Sequence, residues 1–96
     1  MINRINQIME LANGKKYLIF KQAIYKNQNY YISVRITDDE EDILDELVVF
    51  KDVVYKDQDC MQKVEDPNLL TLIFKYVGLV NEEDVKKELE SIEQNQ

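Results

Sequence analysis

Apolar and polar side chains alternate most regularly between residues 30 and 37. The positions on one side are Tyr30, Ile32, Val34 and Ile36, and those on the other are Tyr31, Ser33, Arg35 and Thr37. Because successive side chains of a strand point to opposite faces, this period predicts a strand with one apolar and one mostly polar face. Lys16–Tyr25, rich in aromatic and branched residues, predicts the preceding strand. With residues 26–29 as a polar turn, the two segments predict a β-hairpin.

A second hairpin is predicted between residues 47 and 64. Residues 47–50 resume the strand pattern, and residues 53–55 continue or re-enter it. Residues 56–59 are typical of a turn, and residues 60–64 of a short closing strand. The cluster of acidic residues between the two hairpins favours an exposed loop, because neighbouring like charges repel. Its members are Asp38, Asp39, Glu40, Glu41 and Asp42, extended by Asp45 and Glu46.

The first dozen residues support two interpretations. Asn13-Gly14 is typical of a two-residue hairpin turn, which favours a short strand at residues 8–11 paired with residues 17–20. Asn and Gly also end helices, so the dipeptide fits a helix as well. The apolar residues at helical spacing are Ile2, Ile5, Ile8, Met9 and Ala12. The strand is the preferred interpretation.

Two helices are predicted after residue 65. Asp66 is a good N-cap before Pro67, and Gly78 is well placed to end the first helix. Asn81 begins the second, followed by three acidic residues at its positive end. The second helix carries a narrow apolar stripe formed by Val85, Leu89 and Ile92. That stripe either packs on the same core or faces another chain, which would give a homodimer through the C-terminal helix.

Together these elements predict one α+β domain over residues 1–96. A small antiparallel sheet of four or five strands, built from two hairpins, occupies about residues 8–64. The helical region occupies about residues 66–93, and the first helix is expected to cover one face of the sheet.

Charge and composition narrow the function classes. Twelve basic and 19 acidic residues give a net charge of −7, which argues against non-specific binding to nucleic acid or to an anionic membrane. The charged residues are distributed unevenly along the chain. The region through Thr37 is mildly basic, and the excess of acidic residues begins at Asp38. No apolar segment approaches the roughly 20 residues of a membrane-spanning helix, and no signal-peptide pattern is present. With Cys60 as the single cysteine, these features predict a cytoplasmic protein.

The residue inventory argues against catalysis. The chain has no histidine, which removes the usual general base and zinc ligand. Its two glycines are too few for a P-loop or a dinucleotide fingerprint. Cys60 follows Asp59 and has no histidine to activate it, so a buried, inert thiol is expected. We predict no catalytic residues, no cofactor and no metal ligands.

The acidic loop is the candidate partner-binding surface. An EF-hand counted from Asp38 would need glycine and glutamate where Ile43 and Val49 stand, so that template fails. A solvated loop is the simplest interpretation. Weak binding of Mg²⁺ or Ca²⁺ and mimicry of nucleic-acid phosphates are the alternatives.

Six tyrosines raise the question of base stacking. Aromatic platforms on sheets bind single-stranded nucleic acid, and the first hairpin region also carries lysines. Packing between neighbouring strands explains the tyrosines more simply, so nucleic-acid binding is not favoured.

Four short segments follow one another in a recognisable order. They are ANGKKY at residues 12–17, YKNQNY at 25–30, LVVF at 47–50 and KVEDPNLLTLIF at 63–74. This order resembles a family of small acidic bacterial proteins, domain of unknown function twelve-ninety-two, over roughly residues 8–77. That family usually places a glycine in the turn at residues 26–29, where this chain has none. The resemblance implies the same architecture and no established activity.

The function that these features favour is that of a non-catalytic interaction or accessory module, with an unidentified protein partner. The alternative is an acidic, nucleic-acid-mimicking inhibitor of a basic protein.

Overall fold

A five-stranded antiparallel sheet followed by two helices makes up the fold. The computed structural model describes residues 4–94, and at residues 93 and 94 only the backbone. Each strand pairs with the next along the chain, so that the sheet order is β1-β2-β3-β4-β5. The elements are β1 (Ile8–Glu10), β2 (Lys16–Tyr25), β3 (Gln28–Ile36), β4 (Ile43–Tyr55), β5 (Gln58–Lys63), α1 (Pro67–Tyr76) and α2 (Glu82–Gln94). The predicted α+β class, with its two hairpins and C-terminal helices, is confirmed.

The N-terminal segment forms a strand rather than a helix. Met9 lies opposite Tyr17 in the β1–β2 pair, so the two segments pair as the preferred interpretation predicted, but in a different register. The turn has three residues instead of two, because Leu11 pairs with Lys15: the Leu11 N–H donates to the Lys15 carbonyl at 2.9 Å. Gly14 closes this loop with φ of 85°, a left-handed conformation that glycine adopts at little cost. Ile2, from the alternative helical pattern, lies outside the described residues.

The two longer hairpins share one turn type. Lys26 and Asn27 have φ of 50° and 62°, and Lys56 and Asp57 repeat these values. Positive φ at both central residues is typical of the type I′ turn, whose twist matches that of the strands. The following strands therefore begin at residues 28 and 58, and the four-residue turns predicted from the sequence were too long. The two turns have nearly the same sequence, YKNQ at residues 25–28 and YKDQ at residues 55–58, which accounts for their common conformation.

β4 contains acidic residues that were expected in the loop. Val34 pairs with Leu47 and Ile36 with Ile43, so Arg35 faces three residues of β4 in an irregular bulge. The bulge holds both Asp45 and Glu46, and the prediction that they extend the loop was wrong. A Glu46 carboxylate oxygen lies 3.9 Å from an Arg35 guanidinium nitrogen, which offsets part of the local negative charge.

Both faces of the central strands are buried, contrary to the predicted polar face. The helix-side core consists of Leu18, Phe20, Tyr30, Ile32, Val34, Ile36, Val49, Val64, Ile73 and Leu79. On the other face, Met9 and Leu11 at one edge and Met61 at the other pack against the cluster of Tyr17, Val48 and Phe50. The sheet curls, so its two edges cover this second cluster. Tyr31 and Ser33 are consequently fully buried.

α1 begins and ends at the predicted signals. The Asp66 carboxylate accepts a hydrogen bond from the Asn68 N–H at 2.9 Å. At the other end Gly78 has φ of 81°, and the Leu79 N–H donates to the Phe74 carbonyl at 2.8 Å. This arrangement is a Schellman motif, which satisfies carbonyls that a helix end leaves unpaired.

α2 packs on the sheet that precedes it. Asn81 caps its first turn by accepting a hydrogen bond from the Asp84 N–H at 2.9 Å. Val85, Leu89 and Ile92 are partly buried against the helix-side core. Of the two predicted roles for this stripe, packing on the chain's own core is the one observed.

Candidate functional site

A groove of about 800 Å³ lies between β4, the end of α1 and α2. The groove has an apolar floor and a polar rim, and we call it the acidic groove. The buried or partly buried residues of its floor are Leu47, Phe74, Leu79, Val85 and Leu89. The exposed residues of its rim are Asp45, Val80, Asn81, Glu82, Lys86 and Glu90.

Three local structures position the rim. The β4 bulge carries Asp45 to one side of the groove. The Schellman turn at Gly78 directs the chain so that Leu79 is buried and Val80 is 67% exposed. On α2, residues 82, 86 and 90 recur every four positions and so form a row along one side of the helix.

The charges of the rim favour a cationic ligand. The rim carries three carboxylates, those of Asp45, Glu82 and Glu90, and one ammonium group, that of Lys86. Below them lies a continuous apolar floor. A surface with an apolar centre and one sign of charge at its edge is complementary to a partner that carries apolar and basic side chains.

The predicted acidic loop is a separate surface with a defined internal structure. The Thr37 hydroxyl donates to the Asp39 carboxylate at 2.5 Å, and the Glu41 N–H donates to the same carboxylate oxygen at 3.1 Å. The Thr37 N–H donates to the Asp42 carbonyl at 3.0 Å, which closes the loop. These hydrogen bonds, that from Thr37 first, hold the pKa of Asp39 below its ordinary value.

A lysine of β2 fastens this loop to the sheet. Lys16 Nζ donates to the Glu40 carboxylate at 2.8 Å and to the Asp38 carbonyl at 2.9 Å. The hydrogen bond to Glu40 is the main reason why the pKa of Lys16 is raised. Two carboxylates of the predicted partner-binding set, those of Asp39 and Glu40, are therefore engaged within the chain. All five residues of the set, 38–42, are nevertheless exposed.

The structure offers no built metal site for the cation-binding alternative. Among the side chains of residues 4–92, no group of three or more histidine, cysteine, aspartate or glutamate residues is arranged to hold a metal ion.

Most of the tyrosine rings are used in packing, and only Tyr55 and Tyr76, at 63% and 59%, are largely exposed. Tyr17, Tyr30 and Tyr31 are buried and cannot offer a ring face to a base. The Tyr17 ring meets the Phe50 ring edge-on at 5.8 Å between centroids. Tyr25, on β2, lies against Tyr76 of α1 at 5.6 Å. Packing, the simpler interpretation, accounts for these rings.

A smaller cavity of about 410 Å³ lies beside the β4–β5 hairpin, lined in part by Arg4 and Asp52. Asp52 accepts hydrogen bonds from the Tyr31 hydroxyl and from Asn29. The Arg4 guanidinium lies 5.7 Å from the Tyr31 ring centroid. Burial, and then the bond to Asp52, raises the pKa of Tyr31. This cluster holds a protonated phenol in place and was not foreseen from the sequence.

The single thiol is less buried than expected. Cys60 lies on β5 and is partly exposed, so the prediction of a buried thiol was wrong. Its predicted lack of reactivity stays a prediction.

Comparison with protein-family models, with curated proteins and with solved structures found no match. The resemblance to domain of unknown function twelve-ninety-two therefore stays a prediction. Within residues 4–94, neither helix is long and apolar enough to cross a membrane.

Proposed function

We propose that this chain is a non-catalytic protein-interaction module of the cytoplasm, which binds a basic amphipathic segment of a partner protein in the acidic groove. The observation that carries the proposal is the pairing of an apolar floor with a rim of three carboxylates and one lysine. Neither feature alone selects a partner, but together they match a helix with one apolar face and flanking basic residues.

The dimensions of the groove support a peptide as occupant. Its volume of about 800 Å³ is that of a cleft which holds a drug-sized group, and so leaves room for a few side chains of a peptide. Helices that bind in grooves insert apolar side chains at positions i, i+3 or i+4, and i+7. Leu47 of β4 and Leu89 of α2, both in the apolar floor, are placed to receive such side chains, while Glu82 and Glu90 of the rim are available to pair with lysine or arginine.

The acidic loop supports the runner-up function less well. A phosphate mimic needs carboxylates that are free to pair with a basic partner, and those of Asp39 and Glu40, although exposed, are hydrogen-bonded within the chain. Inhibition of a nucleic-acid-binding partner thus stays the alternative. Competition with nucleic acid for a basic protein, lost when residues 38–42 are neutralised, is the result that would favour it. A homodimer through α2 also stays a prediction.

A titration with two model peptides tests the groove. An amphipathic helical peptide of leucine and lysine is added to the isotopically labelled chain, and NMR shifts are followed. A peptide of leucine and glutamate with the same pattern is the control. We expect saturable shifts at Val85 and Leu89 with the basic peptide only.

Matched charge reversals separate the groove from the loop. The double variant Glu82→Lys with Glu90→Lys should weaken binding of the basic peptide at least about tenfold. The double variant Glu41→Lys with Asp42→Lys makes the same change in net charge and should weaken it less than about threefold. Equal losses in the two variants, or shifts centred on residues 38–42, would contradict the groove as the binding site.

A further inference from the structure

The second edge of the sheet presents an open strand. β5 pairs with β4, and in the described sheet it is the last strand. The Val64 N–H, directly after β5, donates to the Val49 carbonyl at 2.8 Å. Because backbone groups alternate in direction along a strand, the even-numbered residues of β5 face β4. The N–H and C=O groups of Asp59, Met61 and Lys63 therefore face outward.

The same three residues carry a symmetric charge pattern. Side chains of residues 59, 61 and 63 point to one face of the sheet, where Met61 packs against the cluster of Tyr17, Val48 and Phe50. Asp59 and Lys63 stand two residues to either side of Met61, with opposite charges. An antiparallel copy of this strand centred on Met61 would place each charge opposite its complement.

We infer that β5 pairs with β5 of a second copy of this chain, antiparallel and with the two-fold axis at Met61. Asp59 of each copy then lies opposite Lys63 of the other, and the two Met61 side chains meet at the axis. The outward N–H and C=O groups of all three residues pair across the new edge, and two five-stranded sheets become one of ten strands. The contact adds to the groove-binding function and does not depend on it.

Charge complementarity favours this register over those with the two-fold axis at Asp59 or at Lys63. A two-fold axis at Asp59 would bring the two Asp59 carboxylates together, and an axis at Lys63 would bring the two ammonium groups together. Like charges directly opposite each other destabilise a strand pair, whereas opposite charges stabilise it. The Met61 register also overlaps residues 59–63 completely. At the other edge of the sheet, β1 has only three residues and offers a shorter template.

A charge-swap series measured by sedimentation equilibrium tests the pairing. The wild-type chain should show a reversible monomer–dimer equilibrium. Asp59→Lys and Lys63→Asp each place like charges opposite one another and should weaken the dimer at least about tenfold. The double variant, which exchanges the two charges, should restore the dimer to within about threefold of wild type. A chain that stays monomeric at millimolar concentration, or a double variant no better than the single ones, would overturn the inference.

Disulfide crosslinking tests the register of the β5–β5 pair directly and is independent of the charge variants. In the inferred dimer Cys60 lies opposite Gln62 of the other copy as a non-hydrogen-bonded pair, with Cα atoms about 4.5 Å apart. That separation suits a disulfide. Gln62→Cys should therefore give a disulfide-linked dimer on mild oxidation. Gln58→Cys, whose new thiol would lie far from Cys60 of the other copy, is the matched control. Equal crosslinking of the two variants would exclude the Met61 register.

Discussion

The Tyr31 hydroxyl donates a 2.6 Å hydrogen bond to the Asp52 carboxylate and so connects β3 to β4 on the curled face of the sheet. The tyrosine side chain is fully buried, and Asn29 Nδ2 donates to the same carboxylate oxygen at 3.2 Å. Burial raises the pKa of Tyr31, and the bond to Asp52 adds to this effect. The phenol is therefore held in the protonated form that can donate.

Removing this hydroxyl should destabilise the chain. Tyr31→Phe leaves the Asp52 carboxylate with one side-chain donor fewer, and hydrogen bonds to charged groups contribute about 1.5–3 kcal/mol. We expect the free energy of unfolding, measured by urea denaturation, to fall by about that amount. Tyr55→Phe is the control, because Tyr55 is 63% exposed and its change should stay within about 0.5 kcal/mol. Similar losses in the two variants would mean that the Tyr31–Asp52 bond contributes little.

The acid dependence of stability should involve Asp39. Its pKa in the folded chain lies below the ordinary value of 3.8, chiefly because the Thr37 hydroxyl donates to the carboxylate. A lowered pKa favours folding above the unfolded-state pKa, and this contribution is lost as the pH falls through the folded-state pKa. Thr37→Val should move the pKa of Asp39 upward and make the free energy of unfolding less sensitive to pH below about 4.

Carboxyl ¹³C NMR titration measures this shift directly. Thr71→Val is the matched control, since the Thr71 hydroxyl donates to the Pro67 carbonyl within α1, away from the loop. An Asp39 titration that is the same in Thr37→Val as in Thr71→Val would refute the assigned cause.

Local signals in the sequence were sufficient for most of the elements. The alternation at residues 30–36 predicted β3, and Asp66 with Pro67 predicted the start of α1, because each depends on residues close in the chain. Gly78 predicted the helix end for the same reason. Even the short β1 followed from Asn13-Gly14, although the loop has one residue more than the dipeptide suggested.

Features that depend on distant residues were missed. A two-residue period assigns Tyr31 and Ser33 to one face but does not reveal whether that face is covered. Here the curled edges bring Met9 and Met61 over it. The row of residues 82, 86 and 90 on α2 follows from four-residue spacing. Asp45 joins that row only through the β4 bulge, which the sequence pattern does not mark, so the acidic groove was not predicted.

The C-terminal end of α1 allows a test of backbone conformation alone. Gly78 has φ of 81°, and a Cβ atom built there would have no neighbour within 4 Å. Gly78→Ala should therefore lose about 1 kcal/mol of stability from the left-handed conformation, without a steric clash. Gly78→Asn should lose less, since asparagine tolerates this conformation better. Thermal and urea unfolding of the two variants give the comparison, and an alanine variant as stable as wild type would show that the Schellman turn is not needed.

Two adjacent residues of α1 test how the helix packs on the sheet. Ile73 is fully buried in the helix-side core, whereas its neighbour Leu72 is 47% exposed. Ile73→Ala removes buried methyl groups and leaves a cavity, so we expect a loss of about 2–4 kcal/mol in the free energy of unfolding. Leu72→Ala should lose less than about 1 kcal/mol, because little buried surface is removed and alanine is a better helix former. Urea denaturation with an unchanged m-value measures both. Equal losses of unfolding free energy in the two variants would show that α1 does not pack on the sheet through its Ile73 face. They would also contradict the position of the apolar floor that α1 contributes to the acidic groove.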